Sequence, residues 1–208
     1  MAMSLLPVRP AMKDTPRTDR RKQRIKEVLC RRQRDLTLVM NNIHDPHNVS
    51  AILRSCDAFA VPDVHLLYVG QPFPEVGRKS SASARKWVRR IRHRDAGEMV
   101  QRLEGQGLCL IRTGFGPQSI SLPEWDFTRP TAVILGNEHS GVQEDLEQMV
   151  AQEIYIPMQG MVQSLNVSVA AAVILYEAFR QRHQAGLLEE RALPGDRQDE
   201  LYHEWIQK

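Results

Sequence analysis

IPMQGMVQSLNVSVAAAVILYE, residues 156–177, decides how the rest of the chain is read. A short apolar end, Ile156-Pro157, passes into a loop through Gly160. Polar Ser164 and Asn166 then flank Leu165, and an alanine-rich apolar helix follows. A helix opening on SLNVS has side-chain acceptors where its first backbone N–H groups lack partners, so Ser164 or Asn166 can serve as a cap and nothing more. Two other stretches share the order of apolar strand, polar or glycine turn, and helix. They are NIHDPHNVSAILRSCDAF, residues 42–59, and AVILGNEHSGVQEDLEQM, residues 132–149.

Outward from these, apolar runs at 36–42, 64–70, 108–114, 132–136 and 153–157 read as strands. Helices are expected over about 19–33, 95–106, 142–150 and 164–183, and after the HDPHN turn. In that last helix Val49, Ile52, Leu53, Cys56 and Phe59 share one face, as Ile25, Val28 and Leu29 do in the first. Residues 71–94 read as a basic loop region. Strands alternating with helices, several strands wholly apolar, give an α/β fold with a mainly parallel sheet and helices on both faces. No GxGxxG follows the first strand, which leaves an ordinary dinucleotide site without support.

The 208 residues fit one domain with extensions. Residues 1–34 read as a flexible leader with three prolines followed by a basic helix, 35–183 as the α/β unit, and 184–208 as a C-terminal extension. The longest apolar run, 169–176, is too short for a bilayer and no signal peptide precedes the fold, so a cytoplasmic, non-membrane protein is expected. Cys30, Cys56 and Cys109 are odd in number and widely spaced, suggesting neither disulfides nor zinc. His44, His47 and His65 have no ligand spacing, and no metal is expected; His44 and His47 flank the Asp45-Pro46 turn as loop residues.

A net charge of +3 hides two basic concentrations. Residues 1–34 carry 11 Lys/Arg against 3 Asp/Glu, residues 78–94 carry 8 and none, and residues 184–208 are net acidic. Two such runs point to a polyanion partner, with Arg20, Arg21, Lys22, Arg24, Arg85, Lys86, Arg89 and Arg90 as candidate RNA contacts. Trp87 within the second run can stack on a base or pack inward.

In order and wording the three motifs resemble those of the SPOUT class of RNA methyltransferases, most closely the TrmH family, over roughly residues 20–183. The resemblance implies a C-terminal trefoil knot, which sequence reasoning alone would exclude. It also implies S-adenosylmethionine as cofactor, a homodimer with the site near its two-fold, and a tRNA ribose 2′-hydroxyl as methyl acceptor. The short basic N-terminus resembles that of members acting on guanosine 18 of the tRNA D-loop. A ribosomal RNA 2′-O-methyltransferase, or a non-catalytic RNA-binding protein of this fold, is the alternative; a protein or small-molecule methyltransferase fits the basic runs poorly.

By the same resemblance Leu135, Gly136, Ile156, Met158 and Leu165 line the cofactor loops, whose glycine turns let backbone approach a ligand. Asn48 and Arg54 take the positions of the catalytic pair, and Glu138, Ser164 and Asn166 the other polar positions. From spacing alone Asn48 falls in the turn before its helix, and Arg54 is a helix arginine that either snorkels to solvent or faces a cleft. Holding a guanidinium neutral near pH 7 costs roughly 7–9 kcal/mol. A charged arginine that binds phosphate and stabilises a developing alkoxide is therefore favoured over a general base.

Overall fold

A computed structural model describes residues 18–75, 84–137 and 141–208. The leader expected over residues 1–17 lies outside them. The strands are β1 (Leu36–Asn41), β2 (Asp63–Leu67), β3 (Arg89–His93), β4 (Cys109–Thr113), β5 (Ile120–Ser121), β6 (Thr131–Leu135) and β7 (Glu153–Tyr155). They form one sheet in the order β3-β2-β1-β6-β4-β7-β5. Every pairing is parallel.

The helices are α1 (Asp19–Leu29), α2 (Pro46–Ala58), α3 (Ala96–Gly105), α4 (Glu144–Met149), α5 (Val167–Gln184) and α6 (Gly195–Trp205). Period-two alternation in the central strands builds two cores. Leu38 and Met40 of β1, with Val133 and Leu135 of β6, pack with α2 and α5. Val39, Ala132 and Ile134 point the other way, to Met99 and Leu103 of α3 and Leu146 of α4. The predicted face of α2 is buried, with Phe59 packed partly against it.

A third cluster joins the two ends of the chain. Ile25 and Leu29 of α1 pack on Leu193, Leu201 and Trp205. Two fully buried arginines secure this layer. Arg32 pairs with Asp57, donates to the Val61 carbonyl at 3.1 Å, and lies 5.2 Å from the Trp205 ring centroid. Arg182 donates to Asp35 at 2.7 Å and to the carbonyl of Phe127 at 2.9 Å.

The structure corrects two local expectations and adds one helix. The segment read as loop over 71–94 contains β3, an edge strand paired in register with β2, Asp63 opposite Arg89. The C-terminal extension contains α6, for which the sequence offered no period. Asn48 sits inside the first turn of α2, because Asp45 caps that helix by accepting from the His47 N–H at 2.8 Å and Pro46 opens it.

Candidate active site

In an open parallel sheet, ligands bind beyond the carboxyl ends of the strands. There, between the ends of β4, β6 and β7 and the start of α5, lies a cavity of about 410 Å3. All five expected cofactor residues, Leu135, Gly136, Ile156, Met158 and Leu165, line it, together with Ser164 and Asn166. Its volume falls within the roughly 300–1,000 Å3 of small-molecule sites.

The walls are close backbone turns. Asn137 and Gly141 exchange backbone hydrogen bonds at 2.9 and 3.1 Å, with Gly141 at φ +68°. A Cβ on Gly136 would overlap the Gly141 carbonyl and the Val142 nitrogen. Gly160, by contrast, faces open space. Backbone crowding therefore excludes a side chain at Gly136 but not at Gly160.

Sequence reasoning missed Glu153. Buried at the foot of β7, its carboxylate pairs with Arg112 and accepts from the Gly116 N–H and the Ser119 hydroxyl. Arg112 also donates to the Val150 carbonyl at 3.1 Å. This clasp fixes the turn after β4, whose Gly114 and Phe115 form part of the cavity wall.

Asn166 fulfils the capping expectation and more. Its Oδ1 accepts from the Ser168 N–H at 2.9 Å and the Ser168 hydroxyl at 2.6 Å, capping α5. Its Nδ2 donates to Asn48 Oδ1 at 3.1 Å. The first and last motifs therefore meet at the cavity rim. Arg54 does not join them. It is exposed, outside the cavity lining, and six residues along α2 from Asn48, about 9 Å at ~1.5 Å per residue. Glu138 lies outside the described residues.

Residues 20–24 and 85–90 of the two basic runs, far apart in sequence, converge near the amino ends of β1–β3. Arg20, Arg21 and Arg24 border a hollow of about 600 Å3 that Trp87 and Trp205 also line. Arg85, Lys86, Arg89 and Arg90 border an adjoining one of about 260 Å3. Trp87 packs on Trp205, ring centroids 5.0 Å apart, with Arg21 5.8 Å from its centroid. Arg89 is committed to a two-pronged contact with Asp63 at 2.9 and 2.6 Å, with Glu200 and Glu204 nearby, and is a poor phosphate ligand. Lys22 lies 3.5 Å from Asp19 and Arg24 3.5 Å from Glu27, exposed pairs of little strength. This basic face lies at the end of the sheet opposite the cavity.

Among the described residues, no helix is long and apolar enough to cross a membrane, and no three His, Cys, Asp or Glu side chains gather as a metal site. The three cysteines are free thiols, Cys56 buried, Cys30 exposed.

A wholly parallel sheet with this order, and a cavity walled by the turns after β6 and β7, is the architecture of SpoU/TrmH methyltransferases. The structure matches the TrmH/SpoU tRNA modifying enzyme of A. aeolicus with a TM-score of 0.84 and 33% identity, covering 91% of this chain and 96% of that one. It matches the SpoU methyltransferase AviRb of Streptomyces viridochromogenes, solved in complex with AdoMet, with a TM-score of 0.64 and 28% identity, covering 74% and 62%. Residues 35–176 match the model of the SpoU rRNA Methylase family, and the chain belongs to that family. It is also 44% identical over 192 residues to the tRNA (guanosine(18)-2'-O)-methyltransferase of Thermus thermophilus, covering 92% of this chain and 98% of that protein.

Proposed function

We propose that this chain transfers the methyl group of S-adenosylmethionine to the ribose 2′-hydroxyl of guanosine 18 in the tRNA D-loop. The carrying observation is the Asn48–Asn166 hydrogen bond, which ties the first motif to a cofactor-sized cavity. The relative in Thermus thermophilus, matched across nearly its whole length, supports tRNA over ribosomal RNA.

The cavity fits the cofactor. Leu135, Ile156, Met158 and Leu165 offer apolar walls, and Gly136 brings backbone where a side chain has no room. When bound, S-adenosylmethionine supplies an electrophilic sulfonium methyl. The chain's task is to place O2′ in line with that methyl and to stabilise charge growing on the oxygen. Asn48 and Asn166 orient the ribose, with Ser164 beside them on the cavity wall. Arg54, exposed and making no hydrogen bond or ion pair among the described residues, engages the substrate phosphate as a permanent cation. The hydroxyl proton passes to phosphate or solvent as the C–O bond forms and the C–S bond breaks.

Residues 35–183 form the methyltransferase unit in this reading, with the chain after β7 threaded as a trefoil knot. The turn after β6 and the loop after β7 sharing one cavity supports that threading. A homodimer is part of the same proposal. Val169, Val173 and Tyr176, at i, i+4 and i+7 on α5, leave an exposed apolar stripe (48%, 36% and 57%) that a second copy would cover. A partner also answers the distance between the cavity and the Arg20–Arg24 face, since a second subunit can bring its basic face to this cavity. Cytoplasm, where tRNA is modified, is the compartment that follows. Incubation with methyl-labelled cofactor and tRNA, ribosomal RNA or no RNA tests the reading: label in tRNA alone supports it, and label in ribosomal RNA overturns the tRNA assignment.

A further inference from the structure

The end of the sheet that carries the cofactor cavity also carries, beyond β1 and β2, a second hollow of about 450 Å3 bounded by His44, Tyr68, Gln71, Phe73 and Glu75, with Arg92 and Arg94 beside it rather than in its lining. Phe73 lies under two guanidinium groups, Arg94 at 4.0 Å and Arg92 at 4.9 Å from its ring centroid, with Tyr68 tilted against it at 5.5 Å. The two cations have different duties. Arg94 is spent on backbone, donating to the carbonyls of Tyr68, at 3.1 Å, and Gln71, so it fixes the turn after β2. Arg92 is exposed and, among the described residues, has no hydrogen bond or ion pair.

This hollow is joined to the catalytic rim. The Tyr68 hydroxyl donates to the Ile43 carbonyl at 2.6 Å, His44 borders the hollow, and four residues on Asn48 holds Asn166 of the cavity. The basic residues of α1 and of 85–90 lie at the opposite end of the sheet. Among the described residues, Arg92 and Arg94 are therefore the cations of the second basic run that stand on the cofactor side.

We propose that this hollow is a subsite for an unpaired nucleotide adjoining the one that is methylated, a proposal that rests on the RNA-methylation reading above. Its base stacks on the Arg92–Phe73 pair, and its phosphate meets the Arg92 guanidinium. Phe73 is half-buried, one part packed against the main core, which leaves the Arg92 guanidinium as the outer plane of the pair. Aromatic rings and guanidinium planes are the usual platforms for splayed-out RNA bases, and an arginine beside them supplies the phosphate contact.

The test compares the full-length protein with Phe73→Ala, Phe73→Leu and Arg92→Gln, using a tRNA transcript and transcripts with an abasic nucleotide on either side of the target. Phe73→Leu keeps apolar bulk without an aromatic face, so it decides the matter should Phe73→Ala fail to fold. The tRNA KM should rise about tenfold in the Phe73 variants while the cofactor KM stays put. One abasic transcript should show the same loss with wild type and no further loss with the Phe73 variants, because base and ring form one contact. Arg92→Gln should weaken binding and reduce the salt slope by about one counterion. Unchanged tRNA KM in Phe73→Leu, or fully additive losses with both abasic transcripts, would overturn the subsite. If no RNA accepts methyl groups, the methyltransferase reading fails separately, and filter binding of the same transcripts still decides the subsite by the same pattern.

Discussion

The side-chain amide of Asn166 donates to the side-chain carbonyl of Asn48 at 3.1 Å, across 118 residues of sequence. The same Asn166 caps α5 through Ser168. Cap and cavity rim share one residue, so the two roles can be separated. Asn166→Asp keeps a good cap acceptor but loses the Nδ2 donor; Asn166→Ala loses both. Thermal denaturation should find Asn166→Ala destabilised by about 1 kcal/mol and Asn166→Asp close to wild type. Methyl transfer should fall steeply in both. Full activity in Asn166→Asp would reduce the residue to a cap.

The two loop glycines should behave oppositely. Gly136→Ala sets a Cβ against the Gly141 backbone, which cannot yield without moving the turn, whereas Gly160→Ala points into open space. Calorimetry should register at least a tenfold loss of cofactor affinity in Gly136→Ala and little change in Gly160→Ala. Equal affinities in all three proteins would place the cofactor elsewhere.

How much of this was legible in the sequence depends on what each residue faces. Central strands announce themselves because both faces are buried, as with Leu38 and Met40 against Val39. β3 does not: RRIRH buries only His93 and reads as a charge run, the pattern expected of an edge strand. α6 buries only Leu201 and Trp205, too little for a visible period. Arg32 and Arg182 look like surface residues in sequence, and only the third dimension puts carbonyls and carboxylates around them. The cavity residues were named through the resemblance of their motifs, since the turns alone are equally those of an ordinary core. The separation of Arg54 from that cavity, and of the residue 20–24 and 85–90 cations from the cavity end of the sheet, needed the topology.

A buried histidine pair makes the fold acid-sensitive. His65 and His93 meet nitrogen to nitrogen at 2.8 Å across β2 and β3. Burial, then His93, Arg102 and Arg89, lowers the His65 pKa to about 3. An unfolded histidine titrates near 6.5, so between about pH 6.5 and 3 the unfolded chain binds a proton that the native chain refuses. Stability should therefore fall with falling pH in that window, by up to about 1.4 kcal/mol per pH unit, and His65 should contribute no slope above it. Urea denaturation of His65→Gln at pH 7, 6, 5 and 4 should give a shallower slope than wild type. An identical slope would remove His65 from the account.

Arg54 separates chemistry from binding. Arg54→Ala should lower kcat at least a hundredfold with cofactor affinity unchanged, since the side chain is exposed and outside the cavity lining. Arg54→Lys should also be poor, because a point charge does not reproduce the planar guanidinium fork. Single-turnover assays and calorimetry on the same preparations check both halves. Near-wild-type turnover by Arg54→Ala would end its assignment.

The most direct measurement places the methyl group. Wild-type protein, methyl-labelled cofactor and a tRNA carrying guanosine at position 18 are compared with the same tRNA carrying 2′-deoxyguanosine there. The label should map to the 2′-oxygen of guanosine 18 in the first RNA and be absent from the second. Label retained by the deoxy-substituted RNA, or mapped to a base or to another nucleotide, would contradict the account.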